Sequence, residues 1–197
     1  MASYGAKYIQ WAPFAETAPD ESAEAYPKYG EPINLGALQK ATDSPSYNEA
    51  KIYGDDALDE YVSEFKECPI DVEVTELSNA VASAVTGAQI DAGVSGSDKD
   101  LHFNSSDEAP YGGMAFFVKK MVNKKVVHQG IYYPKLKATM QGEEFNTKGD
   151  SITLAGGKLH FLASTCAKGD WKVKSENLTT EAAAKAWVDG KVKKAAG

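Results

Sequence analysis

Three observations predict a mainly β protein, sandwich-like or barrel-like, with a flanking α-helix. Seventeen glycines and ten tyrosines favour turns and strands over a helical bundle. Residues 60 to 75 alternate with period two: Tyr61, Ser63 and Phe65 oppose Val62, Glu64 and Lys66, then Ile70, Val72 and Val74 oppose Asp71, Glu73 and Thr75. Residues 116 to 139 hold the strongest hairpin signal, two apolar runs either side of Asn123 and its neighbouring lysines. A length of 197 residues fits one domain spanning 1 to 197, long enough to bury a substantial core.

Taken in order, Tyr4, Tyr8, Trp11 and Phe14 mark a first strand or ordered arm over 4 to 14. The Pro, Glu and Ala mixture from Pro13 to Pro32 reads as a long surface loop. Strand candidates follow at 33 to 41 and 46 to 53, broken at Ser44-Pro45, and 42 to 60 as a whole reads as a second long loop. Pro69 has no N–H to give a central ladder, which places it at an edge or bulge. From 76 to 88, Leu77, Val81, Ala84, Val85 and Ala88 recur near every 3.6 residues, after Thr75 or Ser78 as cap and before Gly87. That is the flanking helix. Residues 91 to 113, rich in Asp, Ser and Gly, read as loop with a short strand at 101 to 103. Beyond the hairpin come strands at 152 to 154, 158 to 163 and 171 to 174. The extension 175 to 197 holds a short helix from Thr180 to about Val188, capped by Thr179 or Thr180.

The formal charge of −7 conceals a gradient. Residues 1 to 110 carry 21 Asp and Glu against 6 Lys, and residues 111 to 197 carry 7 against 15. Such asymmetry suits subunits meeting acidic face to basic face, or one strongly negative surface. All 21 basic residues are lysine, so the planar fork that reads phosphates and base edges is missing and sequence-specific nucleic-acid binding is disfavoured. Cys68 and Cys166 allow either two buried thiols or one disulfide. The start of the chain lacks the basic and apolar parts of a signal peptide, and no run reaches membrane-spanning length, so synthesis in the cytosol is expected.

Catalytic patterns are missing from the sequence. His102, His128 and His160 have no metal-ligand spacing such as HExxH, and there is no P-loop, GxGxxG or GxSxG. The string 91 to 100 lacks the Lys and Ser of a phosphate loop and the register of an EF-hand. No cofactor, metal or catalytic residue is expected. The acidic stretch 51 to 67, with Asp55, Asp56, Asp59, Glu60 and Glu64, could supply a carboxylate pair for acid and base work. Tyr53, Tyr61 and Phe65 beside it are expected to face a core, which leaves an acidic surface as the reading.

Six separated segments then carry a resemblance: "YGAKYIQWAPF", "KIYGDDALDEYVSEFKE", the helix after "DVEVTELS", "APYGGMAFFVKKM", "HQGIYYPKLK" and "NTKGDSI". In this order they resemble the major tail, or tail tube, proteins of long non-contractile-tailed bacteriophages, over most of residues 1 to 154. The resemblance implies a tail-tube sandwich or barrel that closes into homohexameric rings, stacked head to tail around a channel for double-stranded DNA. It implies a virion protein assembled in the host cytoplasm, with tape measure, tail-tip or distal tail, and tail terminator proteins as partners and no membrane insertion. By analogy, 60 to 75 and 116 to 139 supply tube strands, and Lys119, Lys124, Lys125, Lys135 and Lys137 lie partly at subunit contacts. The loops 13 to 32 and 42 to 60 reach neighbours, ordered by assembly. An acidic lumen would let DNA slide past, and the basic second half would meet acidic loops of the next ring. The segment after Asp150 departs from the family pattern. Tubes of the type VI secretion system and of tail-derived bacteriocins remain alternatives, as does a carbohydrate-binding β-sandwich, which would show exposed aromatics in a groove.

Overall fold

The computed structural model describes residues 3–16, 19–54, 57–91, 100–139 and 156–195. The strands are β1 (Ser3–Pro13), β2 (Ile33–Asn34), β3 (Leu38–Asp43), β4 (Ser46–Gly54), β5 (Ala57–Val74), β6 (Gln89–Ile90), β7 (Leu101–His102), β8 (Tyr111–Val122), β9 (Lys125–Thr139), β10 (Gly157–Ala163) and β11 (Val173–Lys174). Helix α1 (Asn79–Thr86) follows β5, and α2 (Glu181–Lys191) follows β11. The fold is mainly β, an antiparallel sheet in the order β2-β1-β8-β9-β10-β5-β3, with β11 added to β9 and β4 added to β5. β6 and β7 pair apart from it.

The sheet curls because its two ends are tied by one broken strand. The sequence predicts one strand over 33 to 41, but Leu35, Gly36 and Ala37 interrupt it, so that β2 pairs with β1 and β3, which runs on to Asp43, pairs with β5. Leu35 N–H donates to the Ile9 carbonyl across the gap, 3.4 Å, and its side chain is buried in the core. Gly36 makes the break possible: its φ is 116°, and a Cβ there would meet the Glu76 carbonyl at 2.8 Å.

Inside the curl, Ile9, Trp11, Val72, Val74, Met114, Phe116, Tyr133, Leu136 and Phe161 form the main core, with Val85 of α1 packed into it. Burial of this apolar surface is the main driving force for the fold. Ser78 caps α1, its Oγ accepting the Val81 N–H, and Gly87 ends it with φ 77°. Alternate residues of β8 and β9 face outward, where α2 covers them. Ala115, Phe117 and Tyr132 pack there on Ala184, Val188 and Val192. α2 runs further than the expected end near Val188, to Lys191, with Thr180 Oγ1 accepting the Ala183 N–H. Among the described residues, no helix is long and apolar enough to cross a membrane.

Two expectations are revised. Residues 42 to 60, expected to act as a long loop around a strand at 46 to 53, form that strand as β4 and the start of β5 in their described part, a hairpin with register shifts after Ser46 and after Ile52 in which Gly54 pairs with Ala57. Pro69 is neither at a sheet edge nor in a bulge. It lies between Glu67, which pairs with β4, and Ile70, which pairs with β3, while β10 runs along its other side. The missing N–H therefore falls where β5 changes partner, and its carbonyl still accepts the Ser44 N–H at 3.0 Å. The β8–β9 hairpin turns at Asn123 and Lys124, both with positive φ, as a two-residue primed turn requires. The expected strand at 152 to 154 lies outside the described residues.

Candidate assembly surface

β5 is 18 residues long and does two jobs. From Cys68 onward it pairs with β10 and β3 inside the sheet, whereas from Ala57 to Glu67 it pairs with β4 alone. The result is a two-stranded arm whose outer edges are unpaired among the described residues. Such a ribbon is at best marginally stable by itself in water. Its faces follow from the pairing: Tyr47, Glu49 and Lys51 share one with Phe65, Ser63 and Tyr61, and Asn48, Ala50 and Ile52 share the other with Glu64, Val62 and Glu60.

Both faces expose apolar groups. Tyr53 is 67% exposed and Ile52 56%, and Tyr47, Tyr61 and Val62 are exposed as well. Of the three rings expected to face a core, only Phe65 packs inward. Trp171 stacks on it with centroids 4.6 Å apart and planes 8° apart, and Tyr47 meets its edge. Tyr61 is held outward by its own face, donating to Glu49 at 2.8 Å with Lys51 above its ring. Period two identifies a half-buried strand only when something covers one side, and here, among the described residues, nothing covers the arm beyond Phe65.

The root of the arm is fixed by polar groups. Asp43, at the end of β3, accepts from the Tyr133 hydroxyl at 3.0 Å and pairs with Lys172. Burial alone would raise the Asp43 carboxyl, but the Lys172 bond and charge and the Tyr133 bond outweigh it and hold the carboxyl below its usual range. Cys68 and Cys166 are both buried free thiols, so no disulfide ties this region.

The acidic candidates divide. Asp59, Glu60 and Glu64 are exposed on the arm, and Asp55 and Asp56 lie outside the described residues. The lysines divide too. Lys124 and Lys125 are exposed at the β8–β9 turn and make no ion pair among the described residues. Lys119 is half-buried, 3.9 Å from Glu181 of α2. Lys135 is bound to Asp20 at 2.8 Å and Lys137 to Glu108 at 2.9 Å, with both beside the Tyr111 ring. These two serve contacts within the chain. Sequence reasoning missed Met121 and Val126, which are exposed beside the turn lysines; their place one residue pair from Asn123 is the signal that would have found them.

Loop 13 to 32, expected as an arm ordered by assembly, is fastened to its own chain. Asp20 accepts from Lys135 and from the Ala167 N–H, and Tyr26 donates to Asp170 at 2.8 Å. Tyr29 is buried; its hydroxyl donates to the Pro134 carbonyl at 2.6 Å and receives the Tyr132 hydroxyl at 2.5 Å. No group of His, Cys, Asp and Glu suited to a metal occurs among the described residues. His160 lies 2.6 Å from Asp71 on the outer sheet face, and His128 is buried against Phe117. The chain matches no protein-family model and no curated protein.

Proposed function

We propose that this chain is the major tail tube protein of a long non-contractile phage tail, a structural subunit that closes into hexameric rings stacked around a DNA channel. The observation that carries this reading is the β4–β5 arm, a ribbon with exposed Ile52, Tyr53, Tyr61 and Val62 whose outer edges are unpaired among the described residues. A surface of that kind is stable against another chain and is a hazard without one. The curled antiparallel sheet with a helix on its flank supports the same reading, as do the six sequence segments. The tube would be built with the tape measure, tail-tip and tail terminator proteins as partners, and the acidic half of the chain would offer DNA a repelling wall.

A tube of a type VI secretion or bacteriocin device would use the same surface. The exposed tyrosines also keep a carbohydrate-binding module in view, although they lie on a projecting ribbon. Sedimentation over a concentration series, with and without tape measure and tail-tip proteins, separates these. Species of six copies and larger support a tube; a persistent monomer that binds glycans supports the module.

A further inference from the structure

Two hairpin tips point the same way: the β4–β5 arm, and the tip of the β8–β9 hairpin from Met121 to Val126, since β1 stays on β8 as far as Lys120 and Leu178 bridges to His128 of β9. Ala163 of β10 pairs with Cys68 on one side and Leu136 on the other, which sets those residues level. From Cys68, β5 extends back to Ala57, and from Leu136, β9 extends back to Lys125. Each runs about 36 Å beyond that level at about 3.3 Å per residue. The arm is one prong. The end of the β8–β9 hairpin, past the cover of α2, is the other. Strand twist turns their directions apart.

The prongs are complementary. Residues 46 to 67 hold seven carboxylates against Lys51 and Lys66, while residues 111 to 139 hold six lysines and no carboxylate. Each also exposes a small apolar face: on the arm Ile52 and Val62 share theirs with Glu60 and Glu64, and on the other Met121 and Val126 form a pair one step from the turn that carries Lys124 and Lys125, with Lys125 on the opposite face. Among the described residues no ion pair joins the two prongs of one molecule: Lys51 and Lys66 turn to Glu49 and Glu67 of the arm itself.

We infer that the arm of one copy docks on the β8–β9 tip of a neighbouring copy, Ile52 and Val62 against Met121 and Val126, with Glu60 and Glu64 reached by the long side chains of the turn lysines, Lys124 and Lys125, around the end of the hairpin. The contact is heterologous: every subunit offers one acidic and one basic prong, so that each engages a different neighbour and the series closes into a ring or continues. The inference rests on the self-assembly reading and names its contact.

Charge reversal tests it. The variants are Lys124→Glu with Lys125→Glu, and Glu60→Lys with Glu64→Lys, all at exposed positions, with unchanged circular dichroism as the folding control. Light scattering against concentration is expected to show each variant alone needing at least about tenfold more protein to associate. An equimolar mixture of the two recovers association by alternating, since each acidic arm then meets a basic tip and each basic arm an acidic tip, and all four reversals in one chain restore wild-type association. Raising salt weakens the wild-type contact. Wild-type assembly that is indifferent to both reversals overturns the docking and leaves the tube reading standing. Loss that the fourfold variant does not rescue also overturns it. A wild-type chain that stays monomeric at high concentration and low salt, with tape measure and tail-tip proteins added, overturns both.

Discussion

Cys68 of β5 and Leu136 of β9 stand level in the sheet, each opposite Ala163 of β10. Everything N-terminal to Cys68 in β5 is therefore outside the sheet proper and, among the described residues, is held by β4 and by Phe65 stacked on Trp171 at the edge of the core. Replacing residues 50–62 by Asn-Gly, so that Glu49 and Ser63 close a two-residue turn, is expected to leave the thermal midpoint within about 4 °C. Association is expected to be lost. A large drop in midpoint on calorimetry would mean that the arm belongs to the folding core.

The Tyr29 hydroxyl bridges the loop 13 to 32 to Tyr132 and Pro134 in β9. Tyr29→Phe leaves the Tyr132 hydroxyl and the Pro134 carbonyl short of a buried partner, a cost of about 1–3 kcal/mol in urea unfolding. Unchanged stability would show that this bridge holds nothing.

Burial first, and then neighbouring Asp43 for Tyr133 and neighbouring Tyr132 for Tyr29, push these hydroxyls above the ordinary tyrosine range, and burial pushes Tyr132 up as well. A folded pKa above the unfolded one gives stability that is complete below about pH 10 and lost as pH rises. Tyrosinate absorbance from these three should therefore appear only together with unfolding seen by circular dichroism, as a late stage of the titration. One smooth stage in a chain still folded would contradict this.

Asp43 has the opposite sign. Its carboxyl is held low by Lys172 and Tyr133 against the upward push of burial, so its stabilising effect is present above about pH 4 and disappears as pH falls through the folded pKa. Asp43→Asn should be less stable than wild type at pH 7, with the gap narrowing below pH 4. A gap that persists unchanged into acid would assign the loss to packing.

The two glycines nearest α2 give a contrast. A Cβ on Gly130 would lie 2.2 Å from the Trp187 ring, whereas Gly190, within the helix, has nothing within 4 Å. Gly130→Ala is expected to lift α2 and cost about 1–3 kcal/mol, with a red shift in tryptophan emission. Gly190→Ala is expected to stabilise by up to about 1 kcal/mol. Equal effects would mean that α2 is not seated on Gly130.

Local signals were legible and relations between strands were not. The cap at Ser78, the φ-positive turn at Asn123 and the alternation of Ile70, Val72 and Val74 each depend on neighbours in sequence, and each appears where the residues place it. Alternation at Tyr61 and Phe65 is the same signal, yet the first is exposed and the second stacked, because burial depends on Trp171, distant in sequence. The change of partner at Pro69 was hidden for that reason too. The family resemblance pointed to the 116 to 139 hairpin and its lysines as a contact region, but Lys135 and Lys137 are taken up by Asp20 and Glu108, from loops with no pattern of their own.

The central claim is self-assembly into a tube, and negative-stain electron microscopy of the purified protein tests it most directly. Rings or hollow tubes about 100 Å wide, the size expected for six subunits of this mass in a circle, are the predicted result. A field of single particles at every concentration, unchanged after tape measure and tail-tip proteins are added, would contradict it.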